Sequence, residues 1–193
     1  HPAKADQDHR TPLRIALGAD DQLGTTRTHL LDLRTVEGQL GRLPRGVVSV
    51  AHRCPCGCPT VVQTEPRLPD GTPFPTTFYA TCPRLTGAIS TLETTGLMGE
   101  MTERLATDTE LAAAYTAAHE HYLAARRALG VVEEIDHVSA GGMPTRVKCL
   151  HVLVGHSLSA GPGVNLLGDE TLELIADTWS PQICRCDPAW RES

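Results

Sequence analysis

The chain has 193 residues, which is enough for one domain with a buried core and some extension. Its formal net charge of -6 argues against nucleic-acid binding, because neutralising phosphates requires a basic surface. No apolar run approaches the roughly 20 residues of a membrane-spanning helix, so no membrane span is predicted.

The N-terminal stretch, residues 1–27, is polar and aperiodic, and we predict that it forms an arm. Residues 28–193 are predicted to form a single domain. A short helix is expected from Asp32, because this side chain can cap it and apolar residues then recur on one face. The first residues lack the apolar core of a secretion signal, which favours a cytoplasmic location.

Three β-strands are predicted in the first half of the chain, at residues 46–52, 60–65 and 76–81. The sequence RCPCGCP, residues 53–59, separates the first two strands and is therefore predicted to be the tip of a β-hairpin. Short connections between successive strands favour an antiparallel meander.

The second half of the chain is predicted to be helical. Its helices are expected at 83–95, at 97–106, from a capping box at Thr107 and Glu110 to near Gly130, from Pro144 onward, and after a cap at Asp169. The complete pattern predicts an α+β fold, in which a small three-stranded antiparallel meander packs against five or six helices.

Seven cysteines are the most informative residues: Cys54, Cys56, Cys58, Cys82, Cys149, Cys184 and Cys186. An odd number in a chain without a signal core indicates reduced thiols or metal ligands before disulfides. In a meander the first and third strands end at the same edge of the sheet, so Cys82 is expected to lie near the Cys54 end.

Three interpretations of the cysteines stay open. The C-x-C spacings are not the paired C-x-x-C knuckles of a zinc ribbon, whereas cysteines followed by proline loosely fit iron–sulfur ligands. A disulfide, for example within Cys184-Arg-Cys186, is a second interpretation. Reduced thiols that only pack in the core are the third.

A separate anion site is predicted where a Gly-Gly loop leads into the helix expected from Pro144. Free backbone N–H groups at a helix start, with Arg146 and Lys148 in the first turns, can hold a phosphate or a carboxylate. His156 lies farther along the same helix and is predicted to contribute to this site.

Several long segments carry a resemblance to a known family: RCPCGCP, LPDGTPFPTTFYATCP, LMGEMTERLATDTELAAAYTAAHEHYLAAR, SAGGMPTRVKCLHVLVGHSLSAGPGVN and GDE. Together they resemble the mainly actinobacterial family catalogued as domain of unknown function 501, over about residues 37–180. The resemblance implies no activity. It implies cytoplasmic proteins encoded near septum-formation and exopolyphosphatase genes.

The family pattern that this resemblance implies includes Cys54, Cys82 and Cys149, whereas Cys58 departs from it. We therefore predict that Cys54, Cys82 and Cys149, with Cys56 as the fourth ligand, bind an iron–sulfur cluster or a zinc ion. Arg146, Lys148 and His156 would bind a small anionic molecule next to it.

Whether the protein is an enzyme depends on the number of thiol ligands. Three cysteines on a cluster would leave one iron open to a substrate, whereas four ligands would make the site structural or sensory. The alternative function is a non-enzymatic adaptor or regulator, with a protein partner, in cell division or in envelope or phosphate metabolism. A third possibility is a phosphate-handling protein without a metal.

Overall fold

A computed structural model describes residues 23–191 and confirms the predicted α+β architecture. The helices and strands, in chain order, are α1 (Leu23–Leu40), β1 (Val47–Arg53), β2 (Pro59–Thr64), β3 (Phe78–Ala80), α2 (Pro83–Glu93), α3 (Leu97–Thr107), α4 (Thr109–Arg127), α5 (Leu150–Ala160) and α6 (Leu166–Leu174). Two 3-10 turns, Glu133–Ile135 and Pro188–Arg191, complete the described elements.

The three strands form one antiparallel sheet in the order β1-β2-β3, which confirms the predicted meander. Strand β2 lies in the centre and is buried along almost its whole length. The tip of the β1–β2 hairpin is closed by the Cys54 N–H group, which donates to the Cys58 carbonyl at 2.9 Å. This tip lies at the edge of the sheet where β3 also ends.

Helix α5 is the central element of the core. Its residues Leu150, Leu153 and Val154 are fully buried, and the helix packs against β3 on one side and α6 on the other. Gly155 permits the close approach to β3, because a Cβ atom at this position would lie 2.8 Å from the Phe78 carbonyl oxygen. None of the helices within residues 23–191 is both long enough and apolar enough to cross a bilayer.

The predicted start of α5 at Pro144 is wrong, because the helix begins at Leu150. The preceding residues form turns, in which Gly141 and Gly142 have φ angles of 68° and 95°. The Arg146 N–H donates to the Gly142 carbonyl at 3.0 Å, and the Lys148 N–H donates to the Gly141 carbonyl at 2.7 Å. These bonds turn the chain between Gly141 and Lys148, so the helix begins only after them, at Leu150.

Two predicted caps also differ from the structure. Helix α4 is capped by Asp108, whose Oδ1 accepts from two backbone N–H groups of the first turn, whereas Thr107 is the last residue of α3. Helix α6 is capped by Asn165, whose Oδ1 accepts from the Gly168 N–H at 3.0 Å. Asp169 lies inside α6 and accepts instead from the hydroxyl of Ser157.

Helix α1 begins at Leu23, well before the predicted start at Asp32. Asp32 lies within the helix, where its two carboxylate oxygens accept from the Arg53 guanidinium at 2.7 Å each. Arg53 also donates to the Gly57 carbonyl at 2.9 Å, so this ion pair fastens the hairpin tip to α1. Most of the predicted arm lies outside the described residues, and residues 23–27 belong to α1.

His156 of α5, which was predicted to bind an anion, is fully buried in the core. Its ring stacks on Phe78 at a centroid distance of 5.7 Å and meets the edge of Tyr122 at 5.1 Å. The side-chain oxygen of Asn165 caps α6, which identifies the other amide atom of Asn165 as Nδ2. This Nδ2 lies 3.2 Å from His156 Nδ1 and donates a hydrogen bond to it. Nε2 then carries the hydrogen and donates to His121 Nδ1 at 2.9 Å, so His156 is a neutral structural residue.

Replacing Gly155 with Ala should destabilise the protein by about 1–3 kcal/mol, because the new methyl group overlaps the β3 backbone. Urea unfolding of the purified variant measures this loss. The matched control is Gly99→Ala in the exposed face of α3, where nothing lies within 4 Å of the added Cβ. That substitution should stabilise by about 0.5–1 kcal/mol. Equal stability of the two variants would contradict the packing described for α5.

His156 should stay neutral well below the pH at which an accessible histidine is protonated. Burial, and then the nearby His121, lower its pKa from 6.5 to about 4. As pH falls through this window, the unfolded chain binds a proton that the folded protein does not, so the free energy of unfolding decreases by up to roughly 3 kcal/mol. NMR titration of the ring protons measures this pKa. A His156 titration near pH 6.5, the ordinary value for histidine, would contradict the assignment.

Candidate metal site

Four cysteines from two distant parts of the chain lie close together. Cys54 and Cys56 come from the hairpin tip, and Cys184 and Cys186 come from the C-terminal segment. Their Sγ atoms all lie within 4.8 Å of one another. Four thiolates bonded to one zinc ion at 2.3 Å form a tetrahedron with edges of about 3.8 Å, so only small adjustments would be needed for shared ligation. None of these four cysteines forms a disulfide bond within the described part of the chain.

The hairpin tip positions the first two thiols through local turn chemistry. The Gly57 N–H donates to the Cys54 carbonyl at 2.8 Å, and Gly57 adopts a φ of 90°, which disfavours a residue with a side chain. Together with the bond between the Cys54 N–H and the Cys58 carbonyl, this turn places Cys54 and Cys56 at the end of the hairpin. The Arg53–Asp32 ion pair then holds the tip against α1.

The C-terminal segment that brings the other two thiols has little regular structure of its own. After α6 it contains an isolated bridge between Ser180 and Ile183 and the short 3-10 turn Pro188–Arg191. That turn packs against α1, and Trp190 lies partly buried against the core. The cysteine group brings the end of this segment to the hairpin tip of the sheet.

The four thiols affect one another's protonation. Burial raises the pKa of Cys54 to about 11. Burial also opposes ionisation of Cys56, but hydrogen bonds to the Cys58 backbone and to the thiols of Cys184 and Cys186 outweigh it and lower the pKa to about 6. Burial and the neighbouring Cys56 and Cys54 raise the pKa of Cys186. Ionising all four thiols at this distance would therefore require a cation to neutralise them.

A second group of potential ligands consists of Glu93, Cys149 and His151, with one ligand atom of each within 4.8 Å of the others. Glu93 is the last residue of α2, and Cys149 is the N-cap of α5. Oε1 of Glu93 accepts from the Leu150 N–H at 2.7 Å and lies 3.1 Å from His151 Nδ1. A hydrogen bond with Cys149 and the charge of Glu93 raise the pKa of His151 to about 9, although burial opposes the shift.

The structure divides the ligand set that we predicted from the sequence. Cys54 and Cys56 lie in the four-cysteine group, but Cys149 lies in the group with Glu93 and His151. Cys82 lies in neither of the two groups found among the described residues. It is almost fully buried before the first residue of α2 and packs in the hydrophobic core, which agrees with the interpretation of a small core thiol.

Sequence reasoning missed Cys184 and Cys186 as partners of the hairpin tip. The signal was the repeated spacing, because Cys54-Pro-Cys56 and Cys184-Arg-Cys186 are both C-x-C pairs. We interpreted the second pair as a possible local disulfide. No local pattern indicates that the C-terminal segment returns to the first hairpin, so the two pairs were not combined.

The predicted anion site depended on a helix start at Pro144 with free backbone N–H groups, but the helix begins at Leu150. Arg146 and Lys148 are exposed in the turns before α5, and their backbone N–H groups are already bonded to carbonyls. The true N-terminus of α5 is occupied by the carboxylate of Glu93, which accepts from the Leu150 N–H. His156 is buried in the core and does not line a site near these cations.

Comparison with known proteins identifies a family without an assigned activity. The family described as "Protein of unknown function (DUF501)" matches residues 50–173. No curated protein and no solved structure matches the chain. The matched residues include the hairpin tip and the group of Glu93, Cys149 and His151, but they end before Cys184 and Cys186. Because the match covers more than half of the sequence, this chain belongs to the DUF501 family.

Proposed function

We propose that the protein binds one zinc ion through Cys54, Cys56, Cys184 and Cys186, and that this ion fastens the C-terminal segment to the hairpin tip. The observation that carries the proposal is the convergence of four Sγ atoms within 4.8 Å from distant parts of the chain. A tetrahedral set of four thiolates is typical of closed, structural zinc sites.

The spacing of the sulfur atoms favours a single ion over an iron–sulfur cluster. In a four-iron cluster each thiolate binds its own iron, so the sulfur atoms stand farther apart than they do around one ion. The spacing of at most 4.8 Å is close to the edge of about 3.8 Å expected for one tetrahedral zinc. Of the two cofactors predicted from the sequence, zinc is therefore the better fit.

The energetics of the C-terminal segment support a stabilising role for the ion. Ordering a dozen residues costs on the order of 10–20 kcal/mol of backbone entropy. In this segment the Ile183 N–H donates to the Ser180 carbonyl and the Trp190 N–H donates to the Asp187 carbonyl, and Trp190 is only partly buried. Structural zinc in small domains contributes about 10–16 kcal/mol, which is of the same order as the cost of ordering.

A closed site of this kind implies a structural or sensory role. Four protein ligands fill the tetrahedral coordination of zinc and leave no position for a substrate. Loss of the ion would release the C-terminal segment from the hairpin tip. Zinc depletion and thiol oxidation would both remove the ion from the four cysteines. Release of the segment would therefore report either condition.

Replacing Cys184 with Ser should reduce the bound zinc by one equivalent relative to the wild type, because a closed site loses affinity when one thiolate is lost. Elemental analysis after anaerobic purification measures the metal content. The matched control is Cys82→Ala, which removes a buried thiol outside both ligand groups and should leave the zinc content unchanged. Equal zinc in the wild type and Cys184→Ser, or iron with inorganic sulfide in the wild type, would contradict the proposal.

Removing zinc with a chelator should increase amide exchange in residues 180–191 by about tenfold or more, because the segment loses its anchor. The core helix α5 should keep its protection, since its burial does not depend on the four cysteines. Hydrogen–deuterium exchange followed by mass spectrometry measures both regions in one experiment. Unchanged exchange in the C-terminal segment, or loss of protection throughout the chain, would argue against a local anchor.

A further inference from the structure

The hydrogen bonds of His151 define which of its ring nitrogens is available as a ligand. Nε2 lies 3.2 Å from the Thr86 carbonyl oxygen and 3.3 Å from the Ser90 hydroxyl. Because a carbonyl oxygen only accepts hydrogen bonds, Nε2 carries a hydrogen and donates it. In the neutral ring, the lone pair is then on Nδ1, which lies 3.1 Å from Oε1 of Glu93.

A lone pair and a carboxylate oxygen at this distance need a cation between them. A divalent metal can fill that role, and Sγ of Cys149 supplies a third ligand atom within 4.8 Å of the other two. Thiolate, imidazole and carboxylate are all common zinc ligands.

The surroundings of the group hold these ligands in place. The Thr86 carbonyl fixes the tautomer and the orientation of His151, as outer-shell acceptors do for most metal-binding histidines. The Leu150 N–H bonds to Glu93 and ties the end of α2 to the start of α5. The ligands therefore lie on two packed helices, which limits their movement.

The group borders a cavity of about 400 Å³, to which Cys149 and His151 both contribute. Thr76, Tyr79 and Thr86 also line it, and within the part of the chain that the structure describes its wall carries no Asp, Glu, Lys or Arg residue. The side chains of Glu93 and His151 are 23% and 27% exposed, so an ion can reach them from solvent. A small, uncharged polar molecule fits the size and chemistry of this cavity.

We propose that Glu93, Cys149 and His151 bind a second zinc ion, whose fourth coordination position faces the cavity and takes water or an oxygen atom of a small uncharged ligand. Three protein ligands and one open position distinguish this site from the closed four-cysteine site. The two sites share no residue, so the second proposal does not depend on the first. An open zinc position polarises a bound oxygen and is the arrangement that zinc enzymes use.

The test is cobalt titration of the full chain in a Cys184→Ser/Cys186→Ser background, which removes the closed site. One equivalent of cobalt should still bind and give a thiolate-to-cobalt charge-transfer band. Adding Cys149→Ser should abolish that band and lower the affinity at least about tenfold, while keeping an N-cap residue at the start of α5. Acetohydroxamic acid, which is uncharged in solution near neutral pH and releases its proton to solvent when its two oxygen atoms chelate a metal, should change the cobalt spectrum by occupying the open position.

The matched control is Cys82→Ala, which removes a buried thiol that belongs to neither ligand group and should keep cobalt affinity within about threefold. His151→Gln provides a second ligand variant in case Cys149→Ser unfolds, and circular dichroism verifies folding of each. Absence of cobalt binding in the folded background protein, an unchanged band after Cys149→Ser, or alkylation of Cys149 at equal rates with and without zinc would overturn the proposal. If the wild type bound one metal that required Cys149 but not Cys184, the closed site alone would be wrong.

Discussion

The burial of helix α5 on nearly all sides is the constraint on which the rest of the structure depends. The helix lies between β3 and α6, and glycines at its contacts allow backbone to approach backbone. Gly155 meets the Phe78 carbonyl, and Gly168 of α6 meets the Leu153 carbonyl. Because the helix is enclosed, every polar group on it needs a partner inside the protein. His156 finds Asn165 and His121, and the first turn finds Glu93.

That last partnership explains why the chemistry of the chain separates into two groups of ligands. A helix N-terminus attracts negative charge, and the sequence pattern before α5 favours an external anion in that role. The structure supplies the carboxylate of Glu93 instead, from the end of α2. The same contact brings Glu93 to Cys149 and His151, so Cys149 is drawn away from the hairpin tip. The tip cysteines are completed by the C-terminal pair.

Much of the fold could be predicted from local patterns. The strand segments, the hairpin tip at residues 53–59, and the helices after Cys82 and Gly96 follow from composition, proline and glycine, and the structure confirms them. Errors arose where a long-range contact decides the outcome. The turns before α5 depend on backbone bonds back to Gly141 and Gly142, and the Val147 N–H is bonded to the Thr102 hydroxyl of α3.

The cysteine site shows the same division between local and long-range information. The sequence correctly predicts Cys54 and Cys56 together at the hairpin tip, because their positions are set within a five-residue turn. The return of Cys184 and Cys186 depends on the packing of the C-terminal segment on α1, which leaves no periodic signal in the sequence. Cys82 ends at the expected edge of the sheet, but it turns into the core as α2 begins.

X-ray absorption at the zinc edge is the sharpest test of the four-cysteine site, since it reports the atoms bonded to the ion. The measurement is best made on Cys149→Ser, in which the proposed open site is removed and the four-cysteine site is intact. We expect a single shell of four sulfur atoms at about 2.3 Å from zinc. A first shell dominated by nitrogen or oxygen, or a zinc-free protein whose four cysteines are paired as disulfides, would contradict it.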